Sequence, residues 1–280
     1  MIKNLHEKTV TGFGEEWNKF DQSELDEYEL EALFDRYFHI FPWEQIENNA
    51  TGFDMGCGSG RWAKLVAPRV FKLHCLDPSS AIEVAKKNLA GLPNCVFHKS
   101  GVGENSISEG SMDFGYSLGV LHHVPDTQLA LAECVQLLKP GAPFLVYLYY
   151  AMDNKPFWFR TLWRLSDFFR RIISRLPNSL RLIVCNFIAI SVYWPLARSA
   201  RMLETVCLSP QNIGKWPLSE YRHLSFYTMR TDALDRFGTQ LEKRFSQVEV
   251  RNMMANAGLF NIKFSEDAPF WCAVGTKRGG

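Results

Sequence analysis

The sequence predicts an α/β fold: a doubly wound, mostly parallel sheet with an antiparallel last strand, interrupted by an inserted, mainly helical segment. Three observations lead to this prediction. Strand-like and helix-like segments alternate from residue 52 to residue 150, which is typical of parallel βαβ units. Two more strand-like segments follow near the C-terminus. Between the two parts, residues 151–235 carry long apolar stretches with helical spacing.

Start and stop signals mark the elements of the alternating part. Ser80 and Glu83 have the spacing of a capping box, as do Ser246 and Glu249, and Asp126 is a candidate N-cap. The predicted helices of this part begin near 61, 80, 126 and 246. The predicted strands are 52–55, 71–76, 95–98, 112–117, 144–149, 259–264 and 271–275.

The first 50 residues predict a helical lid. Ser23 is a candidate N-cap, with Asp26 in the first turn, for a helix that ends before Pro42. The aromatic side chains of this region include Trp17 and Tyr37, which are candidates to contact a bound substrate. The predicted domains are therefore a lid at 1–50, a core at 51–150 and 236–280, and an inserted helical cap at 151–235.

The inserted cap is rich in arginine and aromatic residues. From Lys155 to Arg201 it has nine basic residues and one acidic residue. Residues 182–197 are mostly apolar, but they are fewer than the roughly 20 that a membrane-spanning helix needs. We therefore predict a buried helix of the cap. The alternative is that 155–201 contacts a membrane surface or another copy of the chain.

Composition excludes several classes of protein. The 280 residues carry a net charge of +1, so the chain as a whole gives no sign of binding nucleic acid. The seven cysteines are scattered and have no metal-ligand spacing, so we expect reduced thiols and no metal site. The N-terminal residues lack the apolar run of a signal peptide, and we expect a cytoplasmic protein.

A glycine-rich loop is the most informative part of the sequence. It runs from Asp54 to Gly60, after a predicted strand and before a predicted helix, and Asp77 ends the next strand. Glycines allow a tight turn and a close approach of a ligand, while a carboxylate at Asp77 suits the two hydroxyls of a ribose. A dinucleotide fingerprint has its third glycine where this sequence has Arg61, and an acidic loop residue repels a pyrophosphate. The loop therefore favours a cationic nucleoside ligand over a dinucleotide.

Four ordered motifs resemble those of class I S-adenosyl-L-methionine-dependent methyltransferases, which have a Rossmann-like fold. The similar group is the small-molecule methyltransferases related to the enzymes of ubiquinone and menaquinone biosynthesis. The resemblance covers about residues 50–150 strongly and 245–277 loosely. The motifs are the segments 54–60, 75–78, 117–126 and 138–141.

The resemblance implies S-adenosyl-L-methionine as the cofactor and a role for each motif. The loop would face the methionine part, Asp77 would bind the ribose, and the turn after the third strand would contact adenine. That turn lacks the acidic residue common in the family, and the nearest one is Glu104. The cofactor residues implied are Asp54, Gly56, Cys57, Gly58, Gly60, Asp77, Pro78, Gly101, Val102, Ser117, Leu118 and His123.

The acceptor of the methyl group is predicted only by class. A weaker resemblance of residues 13–17 to methyltransferases of surface-sugar and natural-product pathways favours a sugar or natural-product hydroxyl or amine. A lipid-linked or macromolecular acceptor, and a non-catalytic member of the fold, are the alternatives. A hydroxyl acceptor needs a base, and the candidates are His122, His223 and Tyr221. The candidate substrate contacts are Trp17, Tyr37, Tyr149, Tyr150 and Arg222.

Overall fold

The computed structural model describes residues 4–104, 106–206, 213–214 and 216–279. Within this part of the chain, the strands are β1 Thr51–Met55, β2 Lys72–Leu76, β3 Cys95–His98, β4 Phe114–Leu118, β5 Pro143–Tyr147, β6 Leu259–Phe264 and β7 Cys272–Lys277. They form a single sheet in the order β3-β2-β1-β4-β5-β7-β6. β7 pairs antiparallel with β5 and β6, and the other pairs are parallel. The predicted Rossmann-like sheet with an antiparallel last strand is confirmed.

Four helices accompany the sheet: α3 Ala63–Val66, α4 Ala81–Asn88, α5 Thr127–Leu137 and α10 Gln247–Asn256. Asp126 caps α5 through Leu129 N–H, and Ser246 and Glu249 form the predicted capping box. The capping box predicted at Ser80 is wrong. Instead, the Ser79 hydroxyl accepts the Ala81 N–H. The same hydroxyl donates to the Asp77 carboxylate, which holds the Ser79 side chain in place.

Two helices precede the sheet. α1 covers Glu7–Lys19 and was not predicted, whereas α2 covers Glu27–Phe38 within the predicted helical region. The N-cap of α2 is Asp26 rather than Ser23, since the Asp26 carboxylate accepts from the N–H groups of Tyr28 and Glu29. The carboxylate of Asp26 thus satisfies backbone donors that a helix start leaves unpaired.

The chain divides into two compact units. One, the sheet unit, comprises residues 1–23, 30–154 and 241–280, and the other, the helical unit, comprises 24–29 and 155–240. The sheet unit is built around fully buried aromatic side chains on neighbouring strands, Phe53, Phe114 and Phe144. The chain leaves and re-enters this unit at adjacent points, because Ala151 N–H donates to the Phe245 carbonyl at 2.9 Å.

The helical unit contains four long helical elements in its described residues: α6 Phe157–Ile173, α7 Asn178–Ile188, α8 Trp194–Thr205 and α9 Phe226–Gly238. A π-helical segment, Ala189–Tyr193, joins α7 to α8. α9 packs against α6, α7 and the π-helical segment. The prediction that 182–197 is a buried helix is wrong. One side of this helix packs in the unit, and the remaining positions are exposed or half-buried.

The continuous helix Asn178–Thr205 is long and apolar enough to cross a membrane by length and composition alone. Its 28 residues include a window of mean hydropathy 1.6, of which 22% is buried within the protein. It is the single helix of this kind in the described part of the chain. The described cysteines, six in number, are free thiols, and Cys207 lies outside the described residues.

Candidate active site

The candidate site lies at the carboxyl edge of the parallel strands. β1 lies between β2 and β4, and the chain order of the strands reverses between β1 and β4. Ligands of open α/β sheets bind at such a reversal, outside the carboxyl ends of the strands. The loop after β1 and the residues that end β2, β4 and β5 therefore meet at one edge.

Hydrogen bonds to the neighbouring strand fix the glycine loop after β1. Gly56 N–H and Cys57 N–H both donate to the Leu76 carbonyl, at 2.8 and 2.9 Å. Gly56 has a φ of 82° and Gly58 a φ of 54°, in the left-handed region that favours glycine. A Cβ at Gly58 would also lie 3.1 Å from Nε1 of Trp17. The loop therefore places backbone without side chains at the edge of the sheet, where a ligand can approach closely.

Asp77 connects this loop to the start of α4. Its Oδ2 accepts Gly58 N–H at 3.0 Å, and its Oδ1 accepts the N–H and hydroxyl of Ser79 at 2.8 and 2.6 Å. Burial raises the pKa of Asp77, and the hydrogen bonds from Ser79 and Gly58 counter this in part. The carboxylate is held in one orientation beside Pro78.

Asp54 presents a second buried carboxyl at the end of β1. Its Oδ2 has no hydrogen-bond partner of normal geometry among the described residues. Burial raises the pKa of Asp54 to about 8, and the nearby Tyr116 hydroxyl offsets this only in part. An unpaired carboxyl in the interior is stabilised when a cation is bound next to it.

The turn after β3 is covered by the N-terminal residues. A Cβ at Gly101 would lie 2.8 Å from a methyl carbon of Leu5, and Val102 is buried. The carboxylate next to this turn comes from α5, because a Cβ at Gly103 would lie 2.5 Å from Oε1 of Glu133. Burial raises the pKa of Glu133. Sequence reasoning missed Glu133, since it is distant in sequence from the turn.

The last residues of β4 and the last glycine of the loop have structural contacts. The Ser117 hydroxyl donates to the Met55 carbonyl at 2.8 Å, which links the ends of β4 and β1. Leu118 is buried at the end of β4. A Cβ at Gly60 would lie 2.8 Å from a methyl carbon of Leu89, so this last glycine allows close packing of the loop.

Helix α1 lies against the glycine loop and the start of α4. Trp17 faces Gly58, and the Asn18 side chain donates to the Ser80 hydroxyl at 2.9 Å. The Phe13 ring contacts the His123 ring at a centroid distance of 4.9 Å. Trp17, named from the sequence as a substrate contact, is therefore placed over the predicted cofactor loop.

The two histidines after β4 have different surroundings. His122 is fully buried, neither ring nitrogen has a hydrogen-bond partner among the described residues, and its ring stacks on Tyr149 at 3.9 Å. Burial, with contributions from His123 and Arg244, lowers the pKa of His122 well below its ordinary value. His123 Nδ1 lies 2.7 Å from the Leu241 carbonyl, which can only accept, so this nitrogen carries the proton. In the neutral ring, Nε2 of His123 is then the basic nitrogen.

Half-buried aromatic rings gather beside these histidines. The Tyr37 ring contacts those of Trp62 and Tyr147, at 5.0 and 5.2 Å, and Tyr147 contacts Tyr149 at 5.8 Å. Tyr150 points elsewhere and packs on Phe270 and Trp271, at 5.6 and 6.4 Å, as expected from the alternation of side chains along an extended segment. The structure thus brings Tyr37 and Tyr149 together and places Tyr150 in a different cluster.

Tyr221, Arg222 and His223 belong to the helical unit. Tyr221 contacts Tyr193 at 5.4 Å, and burial next to Asp232 raises the pKa of its hydroxyl well above the ordinary value. Arg222 and His223 both pair with the Glu204 carboxylate, at 3.1 and 2.7 Å. Their described contacts are therefore with residues of their own unit.

The glycine loop and the carboxylates of Asp54 and Asp77 form one polar site at the carboxyl edge of the parallel strands. The residues fit S-adenosylmethionine, since Asp54 offers an unpaired carboxyl to a cation and Asp77 offers an oriented one to a ribose. No group of three or more metal-ligating side chains occurs among the described residues.

Comparison with known proteins identifies the domain. Residues 53–146 match the family model described as a methyltransferase domain. The chain is 35% identical over 94 residues to trans-aconitate 2-methyltransferase of Deinococcus radiodurans, covering 33% of this chain and 35% of that protein. It is 30% identical over 135 residues to the ubiquinone biosynthesis O-methyltransferase of Sodalis glossinidius, covering 44% of this chain and 54% of that protein. Residues 53–146 therefore resemble a methyltransferase domain.

A solved structure agrees with the fold. An O-methyltransferase family protein from Burkholderia thailandensis superposes with a TM-score of 0.54 at 11% identity, covering 94% of this chain and 60% of that chain. The aligned stretches span from about a third to about half of the length of the two curated relatives. The family-model match, residues 53–146, carries β1 to β5 and the glycine loop.

Proposed function

We propose that this protein transfers a methyl group from S-adenosylmethionine to a small-molecule acceptor. The observation that carries the proposal is the buried Asp54 carboxyl, which has an unpartnered oxygen at the edge where the glycine loop turns. S-adenosylmethionine supplies a methyl group that is already activated on a cationic sulfur. A cation beside Asp54 would hold that carboxyl ionised and remove the penalty of burying it unpaired.

The other residues of the loop edge have roles in binding and orientation. Asp77 would accept hydrogen bonds from the ribose hydroxyls with the lone pairs that Ser79 and Gly58 leave unused. Gly101 and Val102 would line the adenine, and we assign the contact with its amino group to Glu133. Trp17 would cover the ligand over Gly58 and exclude water from the site.

Calorimetry with S-adenosylmethionine, its demethylated product and NAD tests the proposal. We expect binding of the first two and none of NAD. Asp77→Ala should weaken binding about 10- to 150-fold, since charge-assisted hydrogen bonds contribute about 1.5–3 kcal/mol. Ser79→Ala is the matched control, because it removes one support of the carboxylate and leaves the charge in place. Unchanged affinity in Asp77→Ala would contradict the ribose assignment, and binding of NAD would contradict the function.

For a hydroxyl acceptor, His123 is a better candidate base than His122. The Nδ1 proton of His123 is committed to the Leu241 carbonyl, which leaves Nε2 able to take a proton. His122 has a strongly lowered pKa and a ring stacked on Tyr149, so its imidazole is a weak base in a closed position. As the acceptor oxygen bonds to the methyl carbon and the carbon–sulfur bond breaks, the hydroxyl proton would pass to His123.

The two histidines can be separated by kinetics once an acceptor is known. His123→Gln should lower kcat by about 10²- to 10⁴-fold and abolish the acidic limb of the pH profile of kcat/KM. His122→Gln keeps a similar side-chain size and should retain that limb. A pH profile that survives His123→Gln and disappears in His122→Gln would reverse the assignment.

The aromatic rings beside the histidines support a cyclic acceptor. The half-buried ring of Tyr149 contacts His122 and His123, and Tyr147 and Tyr37 extend the row of rings from it. Such rings can stack on a cyclic ligand. We therefore propose a sugar or natural-product ring that carries a hydroxyl or amine. Incubation with methyl-labelled S-adenosylmethionine and sets of sugars, phenols, amines and carboxylic acids should label a ring hydroxyl or amine. Label found only in open-chain carboxylic acids would contradict this choice.

A further inference from the structure

Helix α6 buries Arg170 and Ile173 and exposes most of its other apolar side chains. Arg170 is buried, pairs with Asp167 at 2.7 Å and donates to the Thr239 carbonyl at 2.9 Å. The opposite side of the helix consists of apolar side chains that are half or more exposed. These are Phe157, Trp158, Leu162, Leu165, Phe168, Phe169 and Ile172.

The continuous helix of α7, the π-helical segment and α8 also exposes an apolar row. Cys185, Ala189 and Tyr193 are buried on one side, where the helix packs with α9. On another side an apolar row recurs every three or four residues, and Ile183 and Phe187 in it are 66% and 67% exposed. The row consists of Leu180, Ile183, Phe187, Ile190 and Trp194.

The exposed apolar side chains of these helices form rows and are not scattered singly. Scattered apolar side chains are ordinary, but continuous rows on successive helices mark a surface that contacts another apolar phase. Trp158, Trp194 and several phenylalanines lie in the rows, and such bulky aromatic side chains suit an apolar face laid into a membrane interface.

Charge identifies the occupant of this surface. Exposed Arg160, Arg164 and Arg171 follow one flank of the apolar row of α6, and the sole acidic residue of the helix, Asp167, is engaged with Arg170 and Arg171. An antiparallel symmetric contact with a second copy would bring these arginine flanks together. Anionic lipid offers acyl chains to the apolar row and phosphates to its flank.

We propose that the helical unit docks in the plane of an anionic membrane surface through the outward rows of α6 and α7–α8. A lying orientation follows from the contacts of the helix Asn178–Thr205. One of its sides packs with α9, and Arg198 donates to the Arg222 and Leu224 carbonyls at 3.0 and 3.2 Å. If the helix spanned the bilayer, these contacts would be lost. If the helix lies on the membrane surface, only side chains that are already exposed contact the lipid.

Co-sedimentation of the full chain with vesicles tests the proposal. We expect binding to phosphatidylcholine vesicles that contain phosphatidylglycerol, weaker binding to phosphatidylcholine alone, and release as salt rises. Phe168→Ser should lower the affinity about tenfold or more, and Arg160→Gln with Arg164→Gln should lower it about fivefold for each charge removed. The matched controls are Phe71→Ser and Lys263→Gln. Phe71 is 62% exposed and Phe168 59%, so both serine changes affect a surface position.

Two results would overturn the proposal. One is the absence of binding to anionic vesicles by a protein whose circular dichroism shows it folded. The other is self-association that Phe168→Ser abolishes and Phe71→Ser leaves intact, which would assign the surface to a second copy. Slower hydrogen exchange in α6 and α7 on anionic vesicles, with α4 unchanged, would support membrane docking. None of these measurements needs the cofactor or an acceptor, so the methyltransferase proposal and this one can fail separately.

Discussion

The ionisation of Asp54 should be visible in the pH dependence of stability. Its pKa is raised from 3.8 to about 8 in the folded protein, so the folded state holds a proton that the unfolded state releases. Stability is therefore lost as pH rises from about 4 to about 8, by up to about 1.4 kcal/mol per pH unit. His122, whose pKa is lowered, contributes the opposite slope in the same proteins.

Urea unfolding of wild type and Asp54→Asn at pH 5 and pH 8, without cofactor, isolates this effect. We expect the stability of Asp54→Asn relative to wild type to increase from pH 5 to pH 8, because the variant lacks the carboxyl that must ionise. The contribution of His122 is common to both proteins and cancels in the difference. Parallel pH profiles would show that Asp54 titrates normally.

Substitution of Gly58 should affect both backbone strain and ligand access, whereas substitution of Gly110 should affect backbone strain alone. Gly58 and Gly110 both have positive φ, 54° and 64°, but nothing lies within 4 Å of a Cβ at Gly110. Gly58→Ala and Gly110→Ala should each lower stability by about 1–2 kcal/mol, the cost of a left-handed non-glycine residue. Only Gly58→Ala should also weaken cofactor binding in calorimetry. Equal affinities in the two variants would move the ligand away from the loop.

At the scale of elements, the sheet was predictable and α1 was not. The strands of the sheet have apolar runs bounded by turn residues, and each was predicted within about two residues. The fully buried residues of α1 are Thr9, Gly14 and Glu16, while its apolar residues Val10, Phe13 and Trp17 are half-buried and form only a short stripe. Its contacts are made with the edge of the sheet, by Phe13 and Trp17. Those two aromatic residues were the available signal for a helix at this edge.

We predict that binding of the proposed cofactor orders helix α1. We expect its amides to exchange hydrogen more slowly when the demethylated product is bound, because Trp17 closes over the glycine loop. Trp17→Ala should weaken binding about tenfold or more through the loss of apolar contact, while Trp158→Ala on α6 serves as the control. Equal exchange of α1 with and without ligand would argue against a covering role.

At the scale of the molecule, the two points where the chain leaves and re-enters the sheet unit lie side by side. Ala151 and Phe245 are hydrogen-bonded neighbours, so a short glycine-rich linker can replace residues 155–240. We expect this deletion variant to bind S-adenosylmethionine with nearly the affinity of the full chain and to lose vesicle binding. Calorimetry and co-sedimentation check both halves of the prediction. A folded deletion variant that still sediments with anionic vesicles would place the membrane surface on the sheet unit.

The residues of the site and the buried sides of the helices were less predictable from the sequence than the sheet. The glycine loop, Asp54 and Asp77 were predicted from spacing alone, because a turn between two parallel strands restricts both residue type and position. The predicted burial of 182–197 was wrong, because composition cannot tell which sides of an apolar helix are covered. Glu133, Trp62 and Tyr147 reach the site edge from other elements, and only the packing of the chain brings them there.

The place of β7 between β5 and β6 has a consequence for synthesis on the ribosome. The edge of β5, with Phe144, Leu145 and Val146, is complete when β5 emerges, but its partner β7 is made more than a hundred residues later. At about 5–20 residues per second, the nascent sheet keeps an open apolar edge for on the order of ten seconds. An unpaired edge of this kind is a site of aggregation. The growing chain therefore passes through an aggregation-prone, partly folded intermediate that lasts long enough for a chaperone to bind.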